Sequence, residues 1–394
     1  MILEITFWLF IFIVFYTYLG YGIFILLLVK IKESFQPKCP KVTENITLPD
    51  VTLLIAAYNE EDVVDDKMHN TRSLDYPKEK LHIVWVTDGS TDSTMQKLQA
   101  YTDVHVLHEP ERKGKTSAIN RSIPYIDTPI VIFTDANTIL NPESLKEIVY
   151  LFADKKVGCV AAEKRISIEA EDTASSSGEG FYWRYESYLK NLDSRLYSVV
   201  GAVGELYAIR KDLFEAIPND TLLDDFVLSL KIAQKGYKIA YCPTAYATEY
   251  SSESMKEEEK RKVRIAAGGL QAVWRLRSLL NIFKYGILSF QYISHRVLRW
   301  VVTPFALFAL FPLNILLCMF SSPASKWLYS LLFAAQCIFY LLAFIGYVYS
   351  KKEIKHKILF IPYYFLFMNL NVFKAYSYLR QKGNTGVWEK AKRK

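Results

Sequence analysis

Apolar residues in this chain are concentrated towards its two ends, and a region of alternating apolar and polar segments lies between them. Residues 5–29 form an almost unbroken apolar run. At about 1.5 Å per residue this run is long enough to cross a bilayer core of about 30 Å as a helix. Residues 297–320 and 327–349 form two more such runs, joined by Ser321–Lys326. The pattern predicts a membrane protein with one N-terminal span and at least two C-terminal spans.

Two further apolar stretches are interrupted by polar residues. Residues 358–376 contain a proline, two asparagines and a lysine, which are costly on a lipid-facing helix. We expect a re-entrant or interfacial segment there, with a cytoplasmic C-terminus; a spanning helix is the alternative. Residues 270–296 mix large apolar residues with basic ones. This mixture favours a basic amphipathic helix in the membrane interface over a surface helix of the soluble domain.

The middle of the chain has the pattern of a soluble α/β domain. Amphipathic helical stretches near 60–72, 92–101 and 142–153 alternate with strand-like runs, which predicts βαβ units and a mainly parallel sheet. We read 170–180 as a mobile loop. The predicted strands lie near 51–57, 82–87, 104–108, 130–134, 157–162, 204–209 and 238–242.

These patterns divide the chain into four regions. We predict an N-terminal transmembrane helix over 1–32, an α/β domain over 48–255, amphipathic interfacial helices over 256–296 and a C-terminal membrane segment with a basic tail over 297–394. The first apolar run lacks the basic leader of a signal peptide, and Lys30 and Lys32 follow it. Because positive flanks stay in the cytoplasm, we expect a multi-pass protein of the cell membrane with its α/β domain on the cytoplasmic side.

Composition and charge agree with this division. The chain is 51% hydrophobic and 23% charged, and segregation of the apolar residues explains both values. The net charge of +7 fits the positive flanks of membrane segments, since no motif for binding nucleic acid accompanies it. The five cysteines are scattered without a C-x-x-C pair, which indicates neither a disulfide framework nor a zinc site. We expect the Asn45 glycosylation sequon to be an unused site.

Four acidic signatures follow strand-like runs in order along the chain. They are Tyr58-Asn59-Glu60, Asp88-Gly89-Ser90, Asp135-Ala136-Asn137 and Asp224-Asp225. Open parallel sheets bind ligands beyond the carboxyl ends of their strands, so these groups should meet at one rim around a polar or metal-bound ligand. Acidic residues after strands are also ordinary turn residues, but that alternative explains single signatures better than the ordered set.

The signatures suggest particular roles. Asp135 and Asn137 carry oxygen ligands suited to Mg²⁺ or Mn²⁺ together with substrate phosphate. Asp224 and Asp225 open a helical run, where one carboxylate can pair with the helix dipole and the other can act as a general base. Lys115 follows Gly114, but Glu109 stands where a phosphate loop needs glycine. Lys115 is therefore either a lone cation for a pyrophosphate or a solvated loop residue.

Six segments together resemble a membrane-bound family 2 glycosyltransferase of the GT-A fold, a Rossmann-like α/β fold with a mainly parallel sheet. That group includes the processive synthases of cellulose, hyaluronan and poly-N-acetylglucosamine. The resemblance covers roughly residues 50–270 and extends to the membrane layout. The six segments are Leu53–Glu61, Val86–Asp92, Gly114–Asn120, Phe133–Asn137, Gly201–Arg210 and Leu222–Tyr241.

The resemblance implies a role for each matched position. Asp225 stands where the family places its catalytic base, and Asp135 and Asn137 stand where it holds a divalent ion and the sugar diphosphate. Gly204 and Glu205, with Asp224, would line the acceptor side. The remaining implied donor-binding residues are Ala57, Tyr58, Glu60, Asp88 for the uracil, Lys115 for the diphosphate, Ala136 and Arg264.

Two departures from the family pattern bear on function. Asn137 stands where many relatives have Asp, and Arg261–Ile265 stands where processive synthases carry Q-x-x-R-W, with Arg264 kept. We therefore expect an inverting transferase that moves a sugar from a nucleotide-sugar, with UDP as the expected nucleotide, to a lipid-linked or polysaccharide acceptor beside the membrane lipids. One alternative is a processive synthase that extrudes its product. Another is a non-catalytic nucleotide-binding membrane receptor or transport subunit. Donor sugar, acceptor and oligomeric state stay open.

Overall fold

A computed structural model describes most of the chain. The described residues are 1–35, 47–167, 174–250, 252, 254–352 and 357–382. Asn45 of the sequon, the basic tail after residue 382 and residues 170–173 of the expected mobile loop lie outside them.

The central domain contains an eight-stranded sheet, counted over the described residues. All seven predicted strands are confirmed, and the sequence patterns missed only the two-residue β5, which is too short to show a periodicity. The strands are β1 (Val51–Ala57), β2 (Leu81–Asp88), β3 (His105–Glu109), β4 (Ile130–Asp135), β5 (Ile139–Leu140), β6 (Val157–Ile166), β7 (Leu206–Arg210) and β8 (Lys238–Glu249).

The sheet is mixed, and its first half is parallel. The strand order is β3-β2-β1-β4-β7-β6-β8-β5. β1 runs parallel to both β2 and β4, β2 runs parallel to β3, and β6 runs parallel to β8, whereas β7 lies antiparallel between β4 and β6. The predicted mainly parallel α/β fold is confirmed, and the carboxyl ends of β1, β2 and β4 share one edge.

Helices cover both faces of this sheet, and a buried apolar core fills the space on each side. Gly236, at a φ of +95°, follows the end of the helix Asp224–Gln234, where a glycine commonly terminates a helix. The helices of the domain are α2 (Val64–Arg72), α3 (Thr94–Gln99), α4 (Lys115–Ser122), α5 (Ser144–Leu151), α6 (Ala174–Leu196), α7 (Asp224–Gln234) and α8 (Met255–Arg275). The numbering of these helices starts at α2 because α1 (Ile2–Phe35) lies before the domain in the chain.

Four helices in the described part of the chain are long and apolar enough to cross a membrane. They are α1 (Ile2–Phe35), α9 (Ile287–Phe320), α10 (Pro323–Lys351) and α11 (Lys357–Lys382). Two of them contain π-helical segments, Tyr16–Gly20 in α1 and Ile293–Val302 in α9. These helices confirm the apolar runs that the sequence pattern singled out.

The structure corrects three expectations at the borders of these helices. The stretch 358–376 belongs to one uninterrupted helix, so it does not fold back as a re-entrant segment would. No break separates 287–296 from 297–320, because both lie in α9. The expected loop at 170–180 was wrong for its described part, since α6 begins at Ala174. Its serines and glycines suggested a loop, but intrinsic propensity is a weak prior that tertiary context overrides.

The expected single amphipathic helix over 270–296 is also wrong. The end of α8 is followed by a 3-10 turn at Arg277–Leu280 and one helical turn at Ile282–Tyr285. Asn281 caps that turn by accepting hydrogen bonds from the backbone N–H groups of Phe283 and Lys284. Gly286 then adopts a φ of +52°, which stops the helix before α9 begins. A cap and a left-handed glycine therefore divide what composition alone joined.

Candidate active site

The carboxyl ends of β1, β2 and β4 bring the acidic signatures together. In the sheet register Ala57 pairs with Thr87, and Ala56 pairs with Asp135, so the three strands end almost level. A cavity of about 940 Å³ opens beyond this edge. Its sheet end contains every predicted site residue except Ala136, which is packed in the core: Ala57, Tyr58, Glu60, Asp88, Lys115, Asp135, Asn137, Gly204, Glu205, Asp224, Asp225 and Arg264.

Hydrogen bonds fix the loops after β1 and β2 against each other. Asn59 has a φ of +51°, and its side-chain Oδ1 accepts a hydrogen bond of 2.8 Å from the backbone N–H of Thr91. The backbone N–H of Glu60 donates to the hydroxyl of Thr94 at 2.8 Å. The ring of Tyr58 lies at the cavity with the guanidinium carbon of Arg112 3.6 Å from its centroid. The pair forms a flat, cationic surface suited to stacking on a nucleotide base.

Asp88 is nearly buried, and its carboxylate organises the next loop. It accepts hydrogen bonds from the backbone N–H groups of Lys113, at 3.1 Å, and Gly114, at 2.6 Å. Arg121 lies 3.4 Å from the same carboxylate. Gly89 has a φ of +66°, and a Cβ there would lie 2.7 Å from the backbone nitrogen of Arg112. The geometry therefore gives Asp88 a clear role in holding the loop that carries Lys115, whereas its expected contact with a uracil stays a prediction.

Lys115 and Asp135 form the central ion pair of the site. The Nζ atom of Lys115 donates to Oδ1 of Asp135 at 2.5 Å. Burial disfavours the charged amine, but Asp135, Asp224 and Asp225 outweigh that effect and raise the pKa of Lys115 well above its ordinary value. Lys115 therefore stays a cation, and it is held inside a ring of carboxylates rather than solvated in a loop.

Asp224 and Asp225 begin α7 and lie at the cavity. Burial and the neighbouring Asp224 charge raise the pKa of Asp225 to about 7, while Lys115 opposes the rise. A Cβ built on Gly204 would lie 3.5 Å from Oδ2 of Asp225 and 3.3 Å from Nζ of Lys115. The missing side chain at Gly204 therefore leaves a small space that both groups face. A carboxylate with a pKa near neutrality suits a general base.

The sheet end fits a divalent cation that substrate oxygens complete. Within the described residues no cluster of three or more carboxylate, histidine or cysteine side chains could hold a metal on its own. Asp135 and Asn137 line the cavity together, and Oδ2 of Asp224 is a buried acceptor without a hydrogen-bond partner in the described structure. Mg²⁺ and Mn²⁺ are commonly bound through one or two carboxylates plus phosphate and water oxygens. These residues match that half-site.

Glu205 belongs to a buried ionic network behind the sheet end. Lys164 donates to its Oε1 at 2.6 Å, and Nη2 of Arg261 lies 3.7 Å from the same atom. Arg261 also faces Glu249 and Glu258, so it is buried among carboxylates and does not face lipid. Arg264, one turn further along α8, lines the cavity.

The cavity has a second part that sequence reasoning did not identify, and we call it the membrane end. Candidate membrane helices and the middle of α6 form its walls. The sequence signal for this part was two arginines three residues apart, Arg296 and Arg299, in the otherwise apolar helix α9. Charged residues inside a membrane span often mark a functional position. The membrane end is lined by residues that include Tyr18, Leu19, Glu186, Arg296, Arg299, Trp300, Tyr364, Phe365 and Met368.

Comparisons with known proteins agree with the fold. A family model described as "Glycosyltransferase like family 2" matches residues 49–268. The poly-beta-1,6-N-acetyl-D-glucosamine synthase of Staphylococcus aureus is 28% identical over 239 residues, which cover 58% of this chain and 56% of that protein. The probable glycosyltransferase YdaM of Bacillus subtilis is 26% identical over 277 residues, 64% of this chain and 62% of that protein. The chain thus matches less than two thirds of the length of either relative.

A solved structure is similar over almost the whole chain. It is the mannosyltransferase PcManGT from Pyrobaculum calidifontis in complex with GDP-Man and Mn²⁺. The TM-score is 0.71, the sequences are 21% identical, and the match covers 96% of this chain and 99% of that chain. At this identity the likeness shows a shared fold.

Proposed function

Because the chain belongs to the glycosyltransferase-like family 2, we propose that it is an inverting glycosyltransferase. It moves a sugar from a nucleotide-sugar, with UDP as the expected nucleotide, to a lipid-linked or polysaccharide acceptor at the membrane. The α/β domain lies on the cytoplasmic side of the cell membrane, and α1, α9, α10 and α11 anchor it. The observation that supports this function best is the convergence of Asp135, Lys115 and Asp225 at one cavity.

The donor would lie along the sheet end. The base would stack on the surface that Tyr58 and Arg112 form, and the diphosphate would lie beside Lys115, which is held charged by the surrounding carboxylates. Asp135 and Asn137 would hold a divalent cation, Mg²⁺ or Mn²⁺, which supplies further positive charge to the leaving diphosphate. Fixed positive charge at the position where negative charge develops stabilises the transition state.

Asp225 would act on the acceptor. The acceptor hydroxyl oxygen forms a bond to the anomeric carbon as the bond to the nucleoside diphosphate breaks, and the hydroxyl proton passes to Asp225. A single displacement of this kind inverts the anomeric configuration. The raised pKa of Asp225 makes it a better proton acceptor than an ordinary aspartate while leaving it ionised in part near pH 7.

Activity measurements with a donor panel test this proposal. Purified full-length protein in detergent is incubated with UDP- and GDP-sugars and Mg²⁺ or Mn²⁺, and released nucleoside diphosphate is measured. Asp225→Asn should lower transfer by about 10²- to 10⁴-fold while nucleotide binding survives. Asp127→Asn serves as the matched control because the Asp127 side chain is fully exposed and does not line the cavity. A fully active Asp225→Asn enzyme would remove the base assignment.

A processive synthase is the second candidate, and the relation to a poly-beta-1,6-N-acetyl-D-glucosamine synthase favours it. Arg264 at the cavity is the part of the processive motif that this chain retains. Product length on a gel separates the two. A ladder of long products from limited enzyme indicates processive synthesis, whereas single-sugar products indicate one transfer for each binding event.

A further inference from the structure

The cavity does not end at the transfer site but continues between the candidate membrane helices. We propose that the membrane end binds the phosphate or diphosphate head of a lipid-linked sugar acceptor, with Arg299 as the cation that holds this head. The inference rests on the proposed function, and it names the class of acceptor for the same cavity.

The first argument is the state of Arg299 itself. Its side chain is 8% exposed and lines the cavity. Nη1 donates a hydrogen bond of 3.0 Å to Glu186, whereas Nε and Nη2 are buried and have no hydrogen-bond partner among the described residues. Buried donors on a charged group are costly when they are left without a partner. The guanidinium fork matches the oxygens of a phosphate, which would satisfy the two remaining donors.

The second argument is the local charge. Glu186 is the carboxylate that Arg299 contacts, and Arg296 contacts it as well, at 2.5 Å. His295 lies 3.3 Å from Glu186 but is also bonded at 2.6 Å to a second carboxylate, Asp193. Although burial opposes its charge, Arg296, His295 and Arg299 hold the pKa of Glu186 well below its usual range. Glu186 thus faces two guanidinium groups and can balance the charge of only one of them, so an anion beside Arg299 would balance the other.

The third argument is the apolar wall beside Arg299. Leu19 of α1 and Phe365 and Met368 of α11 line the same cavity, and the ring centroid of Tyr18 lies 5.9 Å from the guanidinium carbon of Arg299. The walls belong to helices long and apolar enough to cross a membrane. A cation at the end of an apolar cleft fits a molecule with an anionic head and a hydrocarbon chain better than a free anion or a neutral glycan.

The backbone at this position points to a built site. Tyr18 lies in the π-helical segment of α1, and Arg296 and Arg299 lie in that of α9. The two segments are joined by a hydrogen bond of 2.9 Å between the hydroxyls of Tyr16 and Ser294. π-Helical turns are rare in proteins, and those that occur are often found at functional sites. Both segments therefore meet where the proposed head group would lie.

With the head held at Arg299, the sugar of the acceptor extends towards the sheet end. The hydroxyl oxygen of that sugar bonds to the anomeric carbon of the donor, and the bond to the nucleoside diphosphate breaks with its electron pair on the leaving oxygen. The hydroxyl proton passes to Asp225. The head phosphate takes no part in the bond changes, so Arg299 is a binding residue for the acceptor.

The test measures binding of an amphiphilic anion to the full-length protein in detergent. Farnesyl diphosphate is the probe, and farnesol and inorganic diphosphate are the comparison ligands. We expect farnesyl diphosphate to bind more tightly than either, and Arg299→Gln to weaken it by about tenfold or more. Arg299→Lys, which keeps the charge towards Glu186 but loses the fork, should give an intermediate affinity and covers the case in which Arg299→Gln fails to fold. Arg275→Gln, a variant outside this cavity, should bind like wild type.

Three outcomes would overturn the inference. They are unchanged binding in both Arg299 variants, equal binding of inorganic diphosphate, and displacement of the probe by phosphatidylglycerol, which would make the site one for a structural phospholipid. Nucleotide release from the donor panel is measured on the same preparations. Donor turnover without probe binding contradicts only this inference, whereas probe binding without any donor turnover contradicts the proposed function.

Discussion

At the sheet end of the cavity the functional side chains follow directly after strands, whereas at the membrane end they come from helices far apart in the chain. Asp135 is the last residue of β4, and Asp88 is the last residue of β2, so one sheet edge positions both. Glu186 and Arg299 are 113 residues apart and meet only because α6 packs beside α9. Local sequence motifs therefore specify the arrangement at the sheet end, whereas tertiary packing creates the arrangement at the membrane end.

This difference suggests a division of labour. The sheet end is rich in carboxylates around Lys115, as a site for a metal and a diphosphate requires. The membrane end places arginines beside apolar walls, as a site for an amphiphile requires. Variants at one end should therefore change the kinetics of one substrate and leave the other substrate largely unaffected, and the following predictions test that separation.

The largest effect is expected for Asp135→Ala. The substitution removes the carboxylate proposed to bind the metal and the partner of Lys115, so donor turnover should fall by about 10²-fold or more. Farnesyl diphosphate binding should stay within about twofold of wild type, since the membrane end is intact. The measurements are nucleotide release over a Mn²⁺ titration and probe binding. Wild-type turnover in Asp135→Ala would contradict the metal assignment, and wild-type protein that binds nucleotide without ever releasing sugar would favour the non-catalytic receptor.

The pH profile tests the junction between the two ends. The proposed base role of Asp225 requires its ionised form, and its pKa is raised to about 7, so kcat/KM should rise with pH up to about 7 and then level off. Below that point the slope should approach about tenfold per pH unit. Asp224→Asn provides the control, because loss of the neighbouring negative charge should move the midpoint to lower pH. A profile that is flat or falls from pH 5.5 to 8 would argue against Asp225 as the base.

A smaller effect is expected from Tyr58→Ala. Loss of the ring beside Arg112 should raise the KM for the donor by about 5- to 150-fold, since stacking of a base on an aromatic ring contributes roughly 1–3 kcal/mol. The KM for the acceptor should not change. Tyr58→Phe, which keeps the ring, is the matched control and should resemble wild type. Equal changes in the KM values for donor and acceptor would contradict the proposed separation of the two ends.

The smallest effect concerns how firmly the sheet end is held. Lys67 is completely buried under the loop after β4 and donates to the hydroxyls of Thr134 and Thr138 and to the carbonyl oxygen of Thr138. Lys67→Met should lower the free energy of unfolding by about 1–3 kcal/mol, because the buried carbonyl oxygen of Thr138 loses its donor, whereas the two hydroxyls keep other hydrogen bonds.

The thermal unfolding of Lys67→Met should be compared with that of Lys146→Met. Lys146 forms a half-exposed ion pair with Asp75, and its loss should cost about 0–1 kcal/mol. Similar unfolding temperatures for the two variants would show that Lys67 does not support the loop.

Much of the fold and of the sheet end could be predicted from the sequence because the signals are local. Each strand is a run of apolar residues, and Asp88 and Asp135 follow such runs immediately, so topology alone brings them together. Lys115 was assigned to the site by the family resemblance, since the residues around it left two roles open. The ion pair with Asp135 shows its position, and its contact with a diphosphate stays a prediction.

The membrane end could not be predicted in this way. Arg296 and Arg299 are a weak signal in the sequence, and the importance of Arg299 depends on Glu186, Tyr18 and α11 lying beside it. The break near Gly286 was missed for a related reason, since the composition of 270–296 is amphipathic throughout and a single backbone conformation divides it. The burial of Arg261 could not be predicted either, because its carboxylate partners come from the residue before β7, the end of β8 and the first turn of its own helix.

The most direct test of the single continuous cavity is a cryo-electron microscopy structure of the full-length protein in lipid nanodiscs with Mn²⁺, a non-transferable UDP-sugar analogue and farnesyl diphosphate. We expect the nucleoside diphosphate beside Lys115 and Asp135 and the base against Tyr58. The diphosphate head of farnesyl diphosphate should lie at Arg299, with Asp225 between the two ligands. A nucleotide bound away from the carboxyl edge of the sheet, or ligands separated by a closed wall of protein, would contradict it.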